Sequence, residues 1–501
     1  MSDHKLKEQI KKLNQIGIAL TSETRLPTLL ELIVREVRGF TRADAGSLYT
    51  VDRNQLRFEV AQNDTLAGRK NKVYEIFRPY PMPLDKTSLA GYVAITGKTL
   101  NIQDVYELTG DEEYRFNPAF DERNRYRTQS MLVVPIRDHQ NESLGVLQLI
   151  NSMDAQGNVN VFDREQEDLV ASLASQAAAA IQNARLINAV HEIFASLVRY
   201  SASAIDARSP HTAGHSRRVA TYSMRLARAI NEETEGALAD MFFSEKELEE
   251  LNYAAWLHDI GKIGVREELL ERVHRLTPSA MELLSTRFEV IKLAVARDLE
   301  RQRTELDGSE KTDYTELERR LRKVDEDLEF IKKINKAKQL TLKEMRRIQE
   351  IQAKSYRNAR GEVRAYLSEE EAHHLSLPTG NLTGREFQEV QGHVLQTLNI
   401  INKIPFTKDL ERIPVIAAAH HEKLDGSGYP LGLTAPDIMI QARILGIADV
   451  YDALTATDRP YRGAMPVQEA LQHLIREAEA EKLDGVLVEL FVSRKLYEGV
   501  T

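Results

Sequence analysis

Two short segments decide the fold of this chain. The segment from His420 to Pro430 reads His-His-Glu-Lys-Leu-Asp-Gly-Ser-Gly-Tyr-Pro, and the segment from His258 to Lys262 reads His-Asp-Ile-Gly-Lys. Because the chain contains no cysteine, paired histidines beside an aspartate indicate a metal centre of imidazole and carboxylate ligands, which suit Fe, Mn, Ni or Zn. The composition excludes thiolate zinc sites, disulfides and cysteine nucleophiles.

The bulk composition describes a globular protein of several domains. A chain of 501 residues with 42% hydrophobic and 29% charged residues is too long for one core, so two or three domains are expected. No run of 18 apolar residues and no signal-peptide pattern occur. We therefore expect a cytoplasmic protein without membrane insertion. A net charge of -9 argues against binding a polynucleotide, which requires clustered positive charge.

The N-terminal third predicts an α+β domain. Residues 1–24 are expected to form an N-terminal helix, and residues 27–40 form a second helix with one apolar face. Short alternating runs bounded by turn-forming residues then predict strands of an antiparallel sheet. These strands are predicted at residues 46–51, 55–61, 99–102, 130–136 and 145–150.

The motifs of this domain resemble those of GAF sensor domains over residues 25–186. They are Ala45-Gly46-Ser47 and the runs 88–94, 128–136 and 145–151. GAF domains that bind cyclic nucleotides often carry an Asn-Lys…Phe-x-x-x-Asp-Glu pattern. Here Asn151 and Phe162 fit it, whereas serine and glutamine replace the lysine and aspartate. The resemblance implies a small ligand, cyclic GMP or cyclic AMP, between the sheet and residues 104–127.

A long helix is predicted to connect the two halves of the chain. Asp163 and Gln166 have the spacing of an N-cap and its N3 partner, and the helix continues from about residue 163 through a linker at 187–205. Its apolar residues follow 3-4-3 spacing, which suits a partner helix and predicts a homodimer seam and signalling rod. The alternative is a helix packed on its own domain. The seam residues are Ile187, Val190, Phe194 and Leu197.

Residues 206–501 are predicted to form an all-α domain, helical except for a Gly/Pro-rich loop at 425–436. Within it, residues 297–367 are highly charged, with apolar positions repeating every three or four residues at 317–331 and 342–351. Thr341 and Glu344 form a predicted capping box. The pattern predicts an inserted antiparallel helical hairpin with solvated charged faces.

The two opening segments resemble the HD-GYP family of bacterial metal-dependent phosphodiesterases. The resemblance implies a centre of two or three Fe or Mn ions. His211 departs from the family pattern: it is a further ligand if residues 211–215 are helical, and otherwise a polar pocket wall. We read His373-His374 as surface. The seven implied ligands are His215, His258, Asp259, His393, His420, His421 and Asp449.

The family reaction is hydrolysis of cyclic di-GMP to pGpG, with a second cleavage to GMP, by a metal-bridging hydroxide. Asp259 would bridge the ions, and Lys262, four residues after His258 and so on the same face of a helix, would meet the phosphate. These two residues are the candidate catalytic residues. The candidate substrate-binding residues are Lys262, Arg459, Arg462, Asp425, Gly426, Gly428, Tyr429 and Pro430. The glycines have a purely structural alternative.

Two other functions remain open. The first is a regulatory or scaffold module that binds a nucleotide or a protein partner, such as a GGDEF diguanylate cyclase, without turnover. The second is a phosphodiesterase for another cyclic dinucleotide, such as cyclic GMP-AMP. Seven ligands in matching contexts, together with Lys262, favour an enzyme regulated by its GAF domain.

Overall fold

The computed structural model describes residues 3–52, 55–69, 80–208, 214–306, 314–456 and 464–500. The chain divides into two compact units, residues 1–194 and 195–501, with the division inside one helix. No described helix combines the length and the apolar character needed to cross a bilayer.

The first unit is an α+β fold around one antiparallel sheet, as the sequence predicts. The strands lie in the order β3-β2-β1-β6-β5-β4, and β7 pairs with β6. The two strands that the sequence did not predict, β3 and β7, are short. The elements are α1 (Asp3–Ser22), α2 (Leu26–Thr41), β1 (Ala43–Asp52), β2 (Gln55–Asn63), α3 (Asp64–Arg69), β3 (Tyr80–Pro83), α4 (Leu89–Thr96), β4 (Leu100–Ile102), α5 (Ala119–Asn124), β5 (Met131–Arg137), β6 (Ser143–Met153), β7 (Val159–Asn160) and α6 (Arg164–Asp206).

Both faces of this sheet are buried. Side chains alternate between the faces along a strand, and in β5 Leu132 and Val134 join a core with α1, α2 and α6. Met131 and Val133 join a second core with Val93 of α4. Full burial of such side chains contributes roughly 1.5–3 kcal/mol each, so the two cores fix the sheet between its helices.

The start of α6 confirms the predicted capping box. Gln166 N donates to Asp163 Oδ1 (2.8 Å), and Asp163 N donates to Gln166 Oε1 (2.9 Å). The predicted seam is wrong in part, because Ile187 and Phe194 are half-buried. The solvent-exposed apolar residues of α6 instead recur at 4-3-4-3 spacing, and each is 60–74% exposed. This α6 stripe comprises Leu186, Val190, Ile193, Leu197 and Tyr200.

The second unit is almost entirely helical. One β-hairpin contradicts the prediction of helices throughout: β8 pairs with β9 in antiparallel register. The elements are α7 (His215–Glu232), α8 (Glu245–Leu257), α9 (Glu267–Leu270), α10 (Pro278–Leu306), α11 (Tyr314–Asn335), α12 (Leu342–Gln352), β8 (Ser355–Arg357), β9 (Val363–Ala365), α13 (Glu369–Leu375), α14 (Gly384–Gln391), α15 (His393–Ile401), α16 (Ile413–Ala418), α17 (Ile440–Thr455), α18 (Val467–Glu479) and α19 (Gly485–Ser493).

The inserted segment is more than the predicted hairpin. The Thr341–Glu344 capping box is present, but α10, α11, α12 and α13 share one core with residues near β9. Phe288 of α10 and Leu375 of α13 belong to this core and lie outside the predicted bounds of 297–367. The sequence pattern missed them because the stripe of α11 packs against α10 as well as α12. We call residues 276–375 the insert core.

Candidate metal centre

Six of the seven predicted ligands lie at the ends of helices. His215 is the first residue of α7, and His393 is the first residue of α15. His258 caps the C-terminus of α8 with Asp259 next to it. His420 and His421 follow α16, whereas Asp449 lies inside α17. Four helix ends and the interior of α17 therefore bring ligands from five separate places in the chain to one point.

Three histidines are anchored in the same way, each by a backbone carbonyl shortly before it in the chain. The Nδ1 atom of each lies 2.6–2.7 Å from the carbonyl oxygen three residues earlier. Because a carbonyl only accepts hydrogen bonds, Nδ1 must carry the proton, and the neutral ring presents an Nε2 lone pair. That tautomer is the one that ligates a metal through Nε2. The pairs are His258 with Ala255, His393 with Val390 and His420 with Ala417.

Each of the two aspartates spans two groups of imidazoles. Oδ2 of Asp259 lies 3.4 Å from His215 Nε2 and 3.3 Å from His258 Nε2, while its Oδ1 lies 3.3 Å from His393 Nε2. Asp449 does the same, with Oδ1 3.3 Å from His215 Nε2 and Oδ2 3.7 Å from His421 Nδ1. A carboxylate in this position can bridge two cations.

The donor atoms fit a metal centre. Three groups of three residues, which share members, could each hold a metal ion. Within each group the ligand atoms all lie within 4.8 Å of one another. Nε2 of His393 and of His420 is buried and has no hydrogen-bond partner among the described residues. A buried polar atom without a partner is unfavourable, and a cation would satisfy it. The groups are His393, His420 and His421; His215, His258 and Asp449; and His258, Asp259 and His420.

The electrostatics of the centre also suit cation binding. Burial would raise the pKa of Asp259, but Lys262 and the neighbouring histidines hold it well below its usual value. Burial lowers the pKa of His421 to about 4, so this ring is neutral. Burial opposes the charge on His258, but Asp259 and Asp449 raise its pKa to about 9. The two carboxylates thus stabilise positive charge beside them. Without a metal ion, a proton on His258 provides that charge.

Lys262 reaches the centre by a different route from the predicted one. α8 ends at Leu257, and Lys262 belongs to a separate 3-10 turn at Ile260–Gly264. Its Nζ lies 2.5 Å from Asp259 Oδ2. The α-helical spacing that motivated the prediction is therefore wrong, although the side chain still lies beside the carboxylate.

Two residues hold this 3-10 turn against α15. A Cβ at Gly261 would collide with the carbonyl oxygen of His393, so only glycine permits the close approach. Thr397 Oγ1 donates to His258 O (2.9 Å) and accepts from Gly261 N (2.9 Å). Thr397 therefore fixes the first ligand pair relative to the helix that carries His393.

The loop after His421 is built around Glu422. This buried carboxylate accepts from the backbone N–H groups of Leu431 (2.7 Å) and Leu433 (2.9 Å). A Cβ at Gly428 would collide with the backbone of residues 422–423, which favours the structural role for this glycine. The ring of Tyr429 packs 4.8 Å from the ring of His421.

The remaining predicted substrate residues are placed less directly. Asp425 is exposed, and its Oδ1 accepts from Ser427 N and Oγ within its own loop. Gly426 has a φ of 81°, a conformation that glycine readily adopts. Pro430 is half-buried beside Tyr429. The candidate metal ligand His211 and the candidate substrate-binding residues Arg459 and Arg462 lie outside the described residues.

Sequence reasoning missed two side chains that contact ligand residues, Thr397 beside His258 and Asp452 beside His215. Asp452 is buried, and its Oδ2 accepts from His215 Nδ1 (2.7 Å). Its position three residues after Asp449, on the same side of α17, was the available signal. His373 is exposed as predicted, whereas His374 is half-buried with Nε2 3.2 Å from Glu386 Oε1.

Comparisons with known families match both halves of the chain. Residues 25–181 match the GAF domain family. Residues 212–340 and residues 369–487 each match an HD domain family. The two HD matches flank the stretch that contains β8 and β9 of the insert core.

Curated relatives share shorter segments with this chain. One is "3'3'-cGAMP-specific phosphodiesterase 3" of Vibrio cholerae, 47% identical over 18% of this chain and 19% of the relative. A "Probable cyclic di-GMP phosphodiesterase" of Vibrio cholerae is 36% identical over 23% of this chain and 27% of the relative.

The "Cyclic di-GMP phosphodiesterase" of Thermotoga maritima is also 36% identical, over 22% of this chain and 28% of the relative. The matched segments thus span less than a third of these relatives. The family matches show that the chain joins a GAF domain to an HD domain, and the relatives that match parts of it are named as cyclic dinucleotide phosphodiesterases.

Proposed function

We propose that the second unit is a metal-dependent phosphodiesterase that hydrolyses a cyclic dinucleotide. The observation that carries the proposal is the pair of aspartates, Asp259 and Asp449, whose two oxygens each face different imidazoles. The names of the curated relatives supply the substrate class. We expect two or three Fe or Mn ions in the centre.

The side chains divide the work around this centre. A pair of divalent ions held here would supply the activation of water and the stabilisation of charge on the entering and leaving oxygens of a phosphoryl group. His215, His258 and Asp449 would hold one ion, and His393, His420 and His421 the other, with Asp259 between them. Lys262, whose side chain is 23% exposed, would place its ammonium against the substrate phosphate.

The approach to the centre lies on the side of Lys262 and His421. The His421 side chain is 25% exposed, while those of His215, His258 and His393 are at most 6% exposed. Tyr429, packed on His421, borders the same side. A phosphodiester entering there would meet the ammonium and the metal ligands together.

We propose cyclic di-GMP as the substrate, with pGpG as the first product and GMP as the second. Cyclic GMP-AMP is a second candidate because a relative named for that substrate is 47% identical over its matched segment. The two molecules share the phosphodiester ring and differ in one base. The chemistry at the metal centre is therefore the same for both.

The test is turnover of both dinucleotides by anaerobically purified protein, with metal content measured on the same sample. We expect Asp259→Ala to lose bound metal and to lower turnover by more than the roughly 10–100-fold typical of residues that only support a ligand. Asp409→Ala is the control, because Asp409 is exposed and pairs with Lys246 at the surface.

The outcomes separate the candidate functions. Full metal occupancy and normal turnover in Asp259→Ala would refute the assignment of the centre. Metal-loaded wild-type protein that cleaves neither dinucleotide would favour the regulatory module. The ratio of kcat/KM for the two substrates decides between cyclic di-GMP and cyclic GMP-AMP.

We propose that the GAF domain binds a small ligand, with cyclic GMP or cyclic AMP first. A cavity of about 710 Å³ lies between the sheet and residues 115–128, a size that ligand sites commonly have. On one side Phe58 packs against Tyr49 (5.2 Å) and Tyr80 (5.3 Å). On the other side Arg115 and Arg123 line the cavity. Aromatic rings suit a purine, and guanidinium groups suit a phosphate.

Calorimetry on metal-free full-length protein tests this ligand, because the metal centre then offers no competing site for phosphate. Saturable binding of one cyclic nucleotide, weakened by Arg115→Ala, is expected, together with a change in turnover when the metal-loaded protein binds it. No heat with either nucleotide up to about millimolar concentration would leave this domain with another role.

We propose that the α6 stripe pairs with a second copy of the chain. Its spacing is that of a two-helix seam, and the positions beside it that would face the partner carry no charged residue: Ile187, Ala189, Phe194, Ser196 and Ser201. Like charges therefore do not oppose self-association. In sedimentation, wild-type protein should be a dimer and Val190→Glu a monomer, while Asn188→Glu, on an exposed position off the stripe, should remain a dimer.

A further inference from the structure

His215 is held differently from the other three histidines whose Nδ1 is anchored. His258, His393 and His420 donate from Nδ1 to neutral backbone carbonyls. His215 donates from Nδ1 to the carboxylate of Asp452, 2.7 Å away and 237 residues later in the chain. Asp452 is 1% exposed, so this contact is shielded from water.

A guanidinium fixes that carboxylate from the other side. Arg218 donates from Nε to Asp452 Oδ1 (2.7 Å) and from a terminal nitrogen to Oδ2 (3.1 Å). Arg218 follows His215 by three residues on α7, and Asp452 follows Asp449 by three residues on α17. Residues three apart share a helix face. One face of α7 and one face of α17 are thus joined by two sets of contacts. Asp452 contacts both His215 and Arg218, and His215 Nε2 lies 3.3 Å from Asp449 Oδ1.

The partner of Nδ1 changes what Nε2 can do. A carboxylate that accepts the Nδ1 proton makes the ring a more basic ligand and fixes its orientation, and loss of such partners lowers metal affinity by roughly 10–100-fold. A neutral carbonyl polarises the ring less. In addition, the other group of imidazoles includes the more exposed His421. The two halves of the centre are therefore unequal.

We propose that Asp452 and Arg218 are positioning residues for one of two metal sites, the one formed by His215, His258 and Asp449. They make this site bind metal more tightly than the other, so that it fills first. This inference rests on the metal centre of the proposed function but not on its substrate. It predicts stepwise occupancy, with the position at His393, His420 and His421 filling at higher metal concentration.

The test is a titration of metal-free protein with Mn(II) alone, in which the electron paramagnetic resonance signal reports unbound Mn(II). Wild-type protein should show a tighter and a weaker class of site. Asp452→Asn keeps an oxygen that accepts from Nδ1 but removes the charge. It should weaken the tighter class by roughly 10–100-fold and leave the weaker class unchanged. Arg218→Gln should act in the same direction.

The matched control is Glu250→Gln. Glu250, on α8, is also a buried acid paired with an arginine: it accepts hydrogen bonds from Arg412 N (2.7 Å) and Nε (2.8 Å). None of its hydrogen bonds among the described residues involves an imidazole of the centre. Its change should lower the unfolding midpoint and leave both metal affinities as in wild type.

Several results would overturn the inference. The first is a single class of Mn(II) sites in wild-type protein. The second is an Mn(II) affinity of the tighter class that does not change in Asp452→Asn. The third is an equal loss of affinity in both classes of site, seen in Asp452→Asn and in Glu250→Gln alike. Failure to cleave a cyclic dinucleotide would refute the proposed function but would not alter these isotherms. Wild-type protein that binds no Mn(II) would refute both.

Discussion

Thr397→Val tests how the metal-ligand turn is held. Valine has nearly the shape of threonine but cannot donate to His258 O or accept from Gly261 N, both at 2.9 Å. Thr397 is fully buried, so both backbone groups would lose their partner without gaining water. An unsatisfied buried group costs about 1–3 kcal/mol, so two such groups should lower the free energy of unfolding by about 2–6 kcal/mol.

Thr397→Ser is the matched control. Serine keeps the hydroxyl and loses one methyl group, which costs about 1 kcal/mol. Because the valine variant also frees the His258–Asp259 turn, we expect it to bind less metal than the serine variant, even under conditions where both are folded.

The sequence provides a local probe for this experiment. Trp256 is the single tryptophan of the chain and lies on α8, two residues before His258. Its fluorescence during urea unfolding reports the second unit alone. With a urea dependence of about 3 kcal/mol per M, the midpoint of the valine variant should fall by roughly 0.7–2 M. Equal midpoints and equal metal content in the two variants would refute the reasoning.

Three other predictions concern the same unit. Gly261→Ala should reduce bound metal per chain, because its Cβ would collide with the α15 backbone, whereas Gly264→Ala, which meets only a side chain at 3.4 Å, should not; equal metal content would contradict this. Since the pKa of His258 is raised to about 9, metal binding at pH 7 must displace its proton. Metal affinity should therefore rise between pH 7 and 9, and calorimetry in buffers of different ionisation enthalpy should detect proton release. Replacing residues 300–365 with a Gly/Ser linker should uncover Phe288 and its neighbours in α10 and cause aggregation, measurable by light scattering; a monodisperse variant would show that α10 is stable alone.

Much of the fold was predictable because periodicity reports burial directly. The β5 run alternates in sequence as its side chains alternate between two cores. The boundaries of the insert core were not predictable in this way. Phe288 belongs to a helix that continues into the charged stretch, and only contacts far apart in sequence show which side of that helix is buried.

Some features of the metal centre were likewise predictable from the sequence, and others were not. Motifs placed seven side chains that the structure brings together, since a ligand type and its neighbours are visible in sequence. The anchoring of Nδ1 on a carbonyl three residues earlier involves backbone atoms, which no residue type reveals. Thr397 and Asp452 carried a weak signal, because they follow His393 and Asp449 by four and three residues and so share their helix faces.

The interruption of the second unit by the insert core has a consequence for how the protein is made. The ribosome releases His215, His258 and Asp259 first, then the insert core, and only then His393 and the later ligands. At 5–20 residues per second, the roughly 130 residues between Asp259 and His393 take about 7–26 seconds to synthesise. During that interval the early ligands exist as an incomplete set, while the insert core can already bury its own apolar side chains. Ion loading into the complete centre is therefore a late event in biosynthesis, after α17 has emerged.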